Sequence, residues 1–286
     1  MLIAGANSKP RLEYETFRRL RDLIYSRCGI TFPDVKMYLL EARVLKRLDD
    51  RGLKTFEDYC YYITYDRDRE AEIKCLLNSI VTNETSFFRD TAQLESFAKG
   101  VIPAVMDDKK INGSAKSLRV WSAACSTGEE PYTVAMLLLE EGLHLKGWNI
   151  EIIGSDISDS VLKCAMNARY DRYALRNTPE HYLRKYFASS GDDYALKRQA
   201  GELVKYKRIN LIDPLETSAV RDVDIIFCRN VFIYFDDASK KKAVAHLYDS
   251  LAKGGYLIVG FSESLHSVTR LFKPVNIARS LVYRKT

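Results

Sequence analysis

The 286-residue chain holds only 4 histidines, 2 tryptophans and 14 glycines, and each shortage narrows what it can be. Its 6 cysteines, Cys28, Cys60, Cys75, Cys125, Cys164 and Cys228, form no CxxC pair and have no histidine placed as a co-ligand, so neither a zinc site nor a disulfide framework is expected. No metal is called for. No apolar run approaches the ~20 residues that cross a bilayer, and the first 30 residues lack a signal-peptide core, being charged from Lys9 onward. These absences predict a cytoplasmic protein without membrane insertion. The glycines never form the dinucleotide fingerprint, and no lysine sits where a triphosphate loop needs one. The net charge of +6 suits an acidic partner and equally suits an ordinary surface. Without a dense basic stripe or a recognisable reading module, nucleic acid is not the expected partner.

What is present is an ordered globular composition, 47% hydrophobic and 29% charged, in a chain long enough for two cores. From about residue 12 to 82 apolar positions recur at helical spacing, as in Phe17, Leu20 and Ile24 and then Met37, Val44, Leu45 and Leu48. "GITFPD" breaks the first helix from the second, and Thr55 stands as cap of a third, with Asp58 three residues on. Near residue 115 the pattern changes. "SLRVWSAA", "NIEIIGSDIS", "KYKRINLID", "DVDIIFCRNVFIYF" and "YLIVGFSES" are short apolar runs, mostly alternating with helical stretches, which implies a parallel sheet. "SLVYRKT" is expected to close its edge. A polar, tyrosine-rich interruption at about 170–207 predicts a small inserted subdomain. The expected division is an all-helical domain at 1–82, a linker contributing site residues at 83–115, and an α/β domain with a mostly parallel, Rossmann-like sheet at 116–286.

In such a sheet a ligand binds beyond the carboxyl ends of the strands, where the strand order reverses. "SAACSTGEEPY" (122–132) falls there. Ala123, Ala124, Ser126 and Gly128 permit close approach, and Pro131 suits the first helical turn. Glu129 and Glu130 would repel a phosphate, so the ligand should be cationic or neutral at that point. Asp156, ending the next run, is placed to accept hydrogen bonds from ribose hydroxyls. An adenosine with a positively charged tail is S-adenosylmethionine. The helix macrodipole would account for Glu129 and Glu130 alone; it leaves Asp156 and the small-residue loop unexplained. Asn210 and Leu211 end the following run, where an adenine would be reached, although a strand-ending turn explains Asn210 equally well. Arg229 and Asn230 end the run after that.

Taken together, "NETSFFRD", "SAACSTGEEPY", "GSDIS" and "IFCRNVFIYF", with "CGITFPDVKMYLLEARVLKRL" near the start, resemble the chemotaxis receptor methyltransferases of bacteria, the CheR family. The likeness runs over nearly the whole chain. It implies an S-adenosylmethionine-dependent methyltransferase domain behind a helical substrate-docking domain. The implied activity is methylation of glutamate side chains on the acidic cytoplasmic helices of chemoreceptors, with S-adenosylhomocysteine as the other product and recruitment to membrane-bound receptor arrays. By the same resemblance Asn83, Thr85, Arg89, Glu129, Asp156, Asn210, Leu211, Asn230 and Val231 line the cofactor, and Arg89 and Tyr234 stand near the reacting centre. The insertion is short beside that of members that dock on a receptor's C-terminal pentapeptide tether, so a tether-independent enzyme is expected.

A carboxylate acceptor, with an ordinary pKa of about 4.3, is already ionised at neutral pH and needs no general base. None of His144, His181, His246 and His266 falls in a site motif, in keeping with that chemistry. The planar fork of Arg89 could orient the acceptor. At about 100° per residue Lys36, Arg43, Arg47 and Arg51 share one sector of the second helix, opposite Leu45 and Leu48, with Leu40 intruding. Such a stripe would attract an acidic helix in a salt-dependent way, or be only a solvated face. Two alternatives remain on the residues alone: the same fold acting on a small molecule or another protein, and a non-catalytic sensor of the cofactor.

Overall fold

A computed structural model describes residues 10–286, which separate into two compact units, one up to Thr82 and the other Asn83–Thr286. In the first, four helices, α1 (Tyr14–Cys28), α2 (Met37–Arg51), α3 (Phe56–Tyr65) and α4 (Arg69–Ile80), share a core. Phe17, Leu20 and Ile24 meet Leu40, Val44 and Leu48, with Phe56, Tyr59, Ile63, Ile73 and Leu76, all buried. Gly29 stops α1 at φ 74°, a left-handed position that favours glycine. The Thr55 hydroxyl accepts the Asp58 N–H at 3.0 Å and starts α3, as the sequence predicts.

The predicted basic stripe needs correction. Lys36 belongs to a short 3-10 turn, Asp34–Lys36, ahead of α2. The buried face of α2 is Leu40, Val44 and Leu48, so the sector shared by the basic residues overlaps the interior. Arg47 and Arg51 flank that face and turn inward onto Glu72, which is fully buried. Arg47 Nε and Nη2 donate at 2.8 Å, Arg51 Nε at 2.5 Å and the Tyr59 hydroxyl at 2.8 Å. Only Lys36 and Arg43 of the four remain exposed without a role in that network. Leu40, at the centre of the sector, was the sign of this.

The second unit begins with α5 (Thr91–Ser96), which passes through one π-helical turn, Phe97–Val101, into α6 (Ile102–Ile111). The strands of the main sheet are β1 (Ser117–Ala123), β2 (Asn149–Asp156), β6 (Val204–Arg208), β7 (Val223–Cys228), β8 (Leu251–Val259), β9 (Phe272–Ile277) and β10 (Ser280–Lys285), in the order β6-β2-β1-β7-β8-β10-β9. The first five are parallel, and β10 runs antiparallel to both β8 and β9. Helices α7 (Glu129–Glu140), α8 (Asp159–Asn167), α11 (Pro214–Thr217) and α12 (Asp237–Ser250) connect the parallel strands. The insertion is a three-stranded antiparallel sheet, β3 (Arg169–Tyr170), β4 (Phe187–Ser190) and β5 (Asp193–Leu196), with α9 (Glu180–Tyr186) and α10 (Arg198–Gly201).

"SLVYRKT" does not close the edge. It forms β10, inside the sheet, and the edge is β9. The run "FKPVNI" contains Pro274, which cannot donate to a ladder and is tolerated at an edge, where its missing N–H has no partner to lose. Residues 83–115 are also more than a linker. The Gln93 amide donates to Val259 O at 2.7 Å, Ser96 Oγ to Ile277 O at 2.7 Å, and Lys109 Nζ to Asp224 at 2.8 Å, while Phe97 packs edge-on against Phe227. Gly100 lets the Ile277 side chain of β9 come close, since a Cβ there would collide with it. Among the described residues no helix is long and apolar enough to cross a membrane.

Candidate functional site

The order of strands reverses at β1, with β2 and β6 to one side and β7 and β8 to the other, so the crevice lies beyond the carboxyl ends of β1, β2 and β7. The loop after β1 is tightly coiled: Ala124, Ser126 and Gly128 have φ of 61°, 50° and 95°. Left-handed Ala and Ser carry strain that the surroundings must hold. Cys125 N donates to Ser155 O at 2.8 Å, and Ser126 N to Asp156 Oδ2 at 3.0 Å. A Cβ at Gly128 would lie 2.6 Å from the Tyr206 hydroxyl and 2.9 Å from Ala165 Cβ, so no larger residue fits. Burial, with Asp156 and Glu130 nearby, raises the Cys125 thiol well above its ordinary value, which leaves it a neutral small group in the loop.

Asp156 is buried at the tip of β2, its two oxygens fixed by the N–H groups of Ser126 and Ser158, each at 3.0 Å. Burial raises its pKa against those bonds. Each oxygen still has lone-pair capacity for a further donor.

The two glutamates that open α7 do different things. Glu130 accepts the Ser122 hydroxyl at 2.6 Å and pairs with Arg229 at 3.1 Å. Glu129, 3% exposed, is held by the Thr127 hydroxyl at 2.7 Å, and burial raises its pKa. Of the two glutamates, only Glu129 has no ion pair among the described residues, and a cation would find it at a helix start beside a loop of small residues.

Arg229 Nε donates to Gln93 Oε1 at 2.8 Å, and Nη2 to Arg89 O at 2.9 Å and Asp90 Oδ2 at 2.5 Å. This buried fork holds "FFRD" against the end of β7, with Phe88 and Asp90 in left-handed conformations at φ 53° and 59°. Phe88 N donates to Thr133 Oγ1 on α7 at 3.2 Å. Phe87 packs edge-on against Tyr170 and Phe187 of the insertion. Arg89 is half-buried, with Nη1 donating to Glu84 O at 2.8 Å. Asn83 O accepts the Ser126 hydroxyl at 3.4 Å, and the Thr85 carbonyl is reached by Arg176.

Asn210 and Leu211 are buried beyond β6. Asn210 Oδ1 accepts Ile212 N at 3.3 Å, the side-chain turn that the strand-ending alternative requires. His246 Nδ1 contacts Leu211 O at 2.9 Å, a packing role. After β7, Asn230 is left-handed at φ 60°, and Val231 leads into a 3-10 turn, Phe232–Tyr234, that presents a half-buried Tyr234.

The family model described as "CheR methyltransferase, SAM binding domain" matches residues 83–281, and "CheR methyltransferase, all-alpha domain" matches 15–81. This chain belongs to the CheR methyltransferase family. It is 35% identical over 270 residues to chemotaxis protein methyltransferase 2 of Vibrio cholerae, covering 94% of this chain and 92% of that one. It is 32% identical to chemotaxis protein methyltransferase 1 of Pseudomonas aeruginosa, over 94% of this chain and 97% of that one. A solved structure of magnesium protoporphyrin IX methyltransferase from Synechocystis is a distant likeness, at 14% identity and a TM-score of 0.34 over 79% of this chain and 91% of that one.

The donor set of this CheR domain fits S-adenosylmethionine chemically. Asp156 could accept hydrogen bonds from a diol, the buried Glu129 carboxylate could take an ammonium, and the loop between them admits no bulk at Gly128. Sequence reasoning missed three residues that hold Arg229 in place: Asp90, Gln93 and Glu130. The signal was an arginine ending an otherwise apolar strand run, which needs buried acceptors somewhere in the chain.

Proposed function

We propose that this chain transfers the methyl group of S-adenosylmethionine to glutamate side chains on the cytoplasmic helices of chemoreceptors, giving glutamyl methyl esters and S-adenosylhomocysteine. The observation that supports this reading is the buried Glu129 carboxylate, without a salt-bridge partner among the described residues, at the start of α7 and after the loop whose Ser126 N–H binds Asp156. In this reading Glu129 holds the ammonium, Asp156 the ribose, Asn210 and Leu211 the adenine, and Asn83, Thr85, Asn230 and Val231 the remaining flanks.

When bound, the cofactor supplies an electrophilic methyl: as a carboxylate oxygen forms the O–C bond, the C–S bond breaks and its electron pair stays on sulfur. No proton moves to or from the acceptor, so the protein needs no base. Arg89 and Tyr234 position the carboxylate. Arg89 already donates to Glu84 O, so it can grip one acceptor oxygen loosely. A tight bidentate grip would stabilise the reactant carboxylate more than the transition state. Opposite charges vanish in the reaction, so exclusion of water by the inserted sheet and the "NETSFF" segment favours it. Lys36 and Arg43 supply the basic face for an acidic partner helix, with no tether required.

The experiment is incubation with methyl-labelled S-adenosylmethionine and a chemoreceptor cytoplasmic fragment lacking any C-terminal tether, with label released by alkali counted as methanol. Alkali-labile label that depends on the receptor and is lost in Arg89→Ala is the expected result. Cofactor binding without label on any of several receptor fragments would overturn the acceptor assignment.

A further inference from the structure

Strand β8 ends at Val259 and the chain continues "GFSES". Phe261 is almost fully exposed, yet Glu263, two residues later, is buried. Its side chain turns back under the loop. Oε2 accepts Gly260 N and Asn230 N, each at 2.8 Å, and Oε1 accepts Ile233 N at 3.3 Å. One carboxylate thus joins the loops that leave two neighbouring parallel strands, β7 and β8.

Each of these donors is a backbone N–H, and the pattern is specific. A buried carboxylate ordinarily takes a cationic partner. Arg229, which directly precedes Asn230, is instead committed to Gln93, Glu130, Asp90 and Arg89 O. Asn230 sits at φ 60°, a conformation that strains a non-glycine residue and persists only where contacts fix it. Gly260 is required by the same arrangement, because a Cβ there would stand 2.7 Å from Glu263 Oε2 and 2.9 Å from Asn230 N. The bond to Ile233 N fixes the middle of the 3-10 turn whose last residue is Tyr234.

We propose that Glu263 is a positioning residue for methyl transfer: by binding the N–H groups of Asn230, Ile233 and Gly260 it sets the cofactor-facing turn after β7 and the placement of Tyr234. This rests on the reading that Asn230 and Val231 flank the cofactor and that Tyr234 faces the acceptor. Glu263 itself touches neither.

The near-isosteric variant is Glu263→Gln. A carboxamide has one acceptor oxygen, so either Ile233 N alone or both Asn230 N and Gly260 N must face an NH2 group. A second variant, Gly260→Ala, presses on the same carboxylate without changing any charge. Both are purified as the full chain, and folding is confirmed by circular dichroism. S-adenosylhomocysteine affinity is measured by calorimetry without acceptor, and single-turnover methylation of a receptor fragment is measured at saturating cofactor. In each variant the expected result is an S-adenosylhomocysteine Kd raised about tenfold and a methylation rate at saturation lowered about tenfold or more, with receptor KM little changed. If folded Glu263→Gln keeps both the Kd and the saturated rate within about twofold of the parent, the proposal is overturned and Glu263 merely braces the fold. If the parent itself methylates no receptor, the acceptor assignment fails, and the Kd comparison alone still decides for or against Glu263.

Discussion

Arg229 and Glu130 pair at 3.1 Å, joining the end of β7 to the first turn of α7 across the mouth of the crevice. The glutamate next to Glu129 is therefore already engaged in an ion pair. The consequence is selectivity within a pair of identical neighbours: Glu130 braces the site and Glu129 remains available for a ligand's charge.

Arg229→Lys should destabilise the methyltransferase unit by about 3 kcal/mol, because a single ammonium cannot serve acceptors on Gln93, Glu130, Asp90 and Arg89 together. Urea unfolding followed by tryptophan fluorescence reads this, as Trp121 is fully buried at the centre of the sheet. A loss below about 1 kcal/mol would show that the acceptors rehydrate at little cost.

Cofactor affinity should fall as the solution is acidified. Burial raises the pKa of Glu129 in the free protein, and a bound ammonium favours the ionised form, so the complex has the lower pKa. Affinity is then constant above the raised value and drops as pH falls through it towards the ordinary carboxylate range near about 4.3. Calorimetric titration with S-adenosylhomocysteine, which keeps the amino-acid ammonium, should show this slope. Glu129→Gln should bind more weakly at pH 7.5 and show a flatter profile; an unchanged slope would remove Glu129 from the ammonium site.

Glu72 should govern the helical unit. Burial pushes its carboxyl up, but hydrogen bonds from Arg47, Tyr59 and Arg51 outweigh that and its pKa is lowered. A depressed native pKa gives stability that is present above the unfolded value and is lost as pH falls through the native one. Glu72→Gln should cost about 3 kcal/mol at pH 7, read as faster hydrogen exchange of the α2 and α4 amides. Protection equal to that of the parent would make the network incidental.

Lys36→Glu combined with Arg43→Glu should raise receptor KM and flatten its salt dependence, leaving S-adenosylhomocysteine affinity unchanged. Arg47→Ala and Arg51→Ala are poor tests of docking, since they expose the charge on Glu72. A KM unmoved at low salt by the double charge reversal would remove this face from receptor recognition.

Where a local rule decides the outcome, the sequence was readable. Thr55 caps α3 because a hydroxyl ahead of an acidic first turn satisfies an orphan N–H, and Asp156 ends a strand because its run turns polar after "IIGS". The misreadings came from partners distant in sequence. Arg47 and Arg51 look like a surface stripe until Glu72, more than 20 residues on, is found beneath them. Strand β9 carries a proline and little apolar alternation, so only its pairing with β10 reveals it. Glu263 lies in a loop of unremarkable composition, and nothing in "GFSES" says that its acceptors will be filled from β7.

The helix that runs from Thr91 to Ile111 carries contacts to β7, β8, β9 and β10 through Phe97, Gln93, Ser96 and Asp108. A catalytic fragment trimmed to its first strand, at residue 117, would uncover the apolar surface that Phe97, Val101, Ile102 and Val105 help to bury and should be recovered as aggregate. The shortest portable piece begins at Asn83, so in this chain the boundary for cutting, swapping or fusing the helical unit lies at the motif that opens the methyltransferase, and not at the start of the α/β pattern.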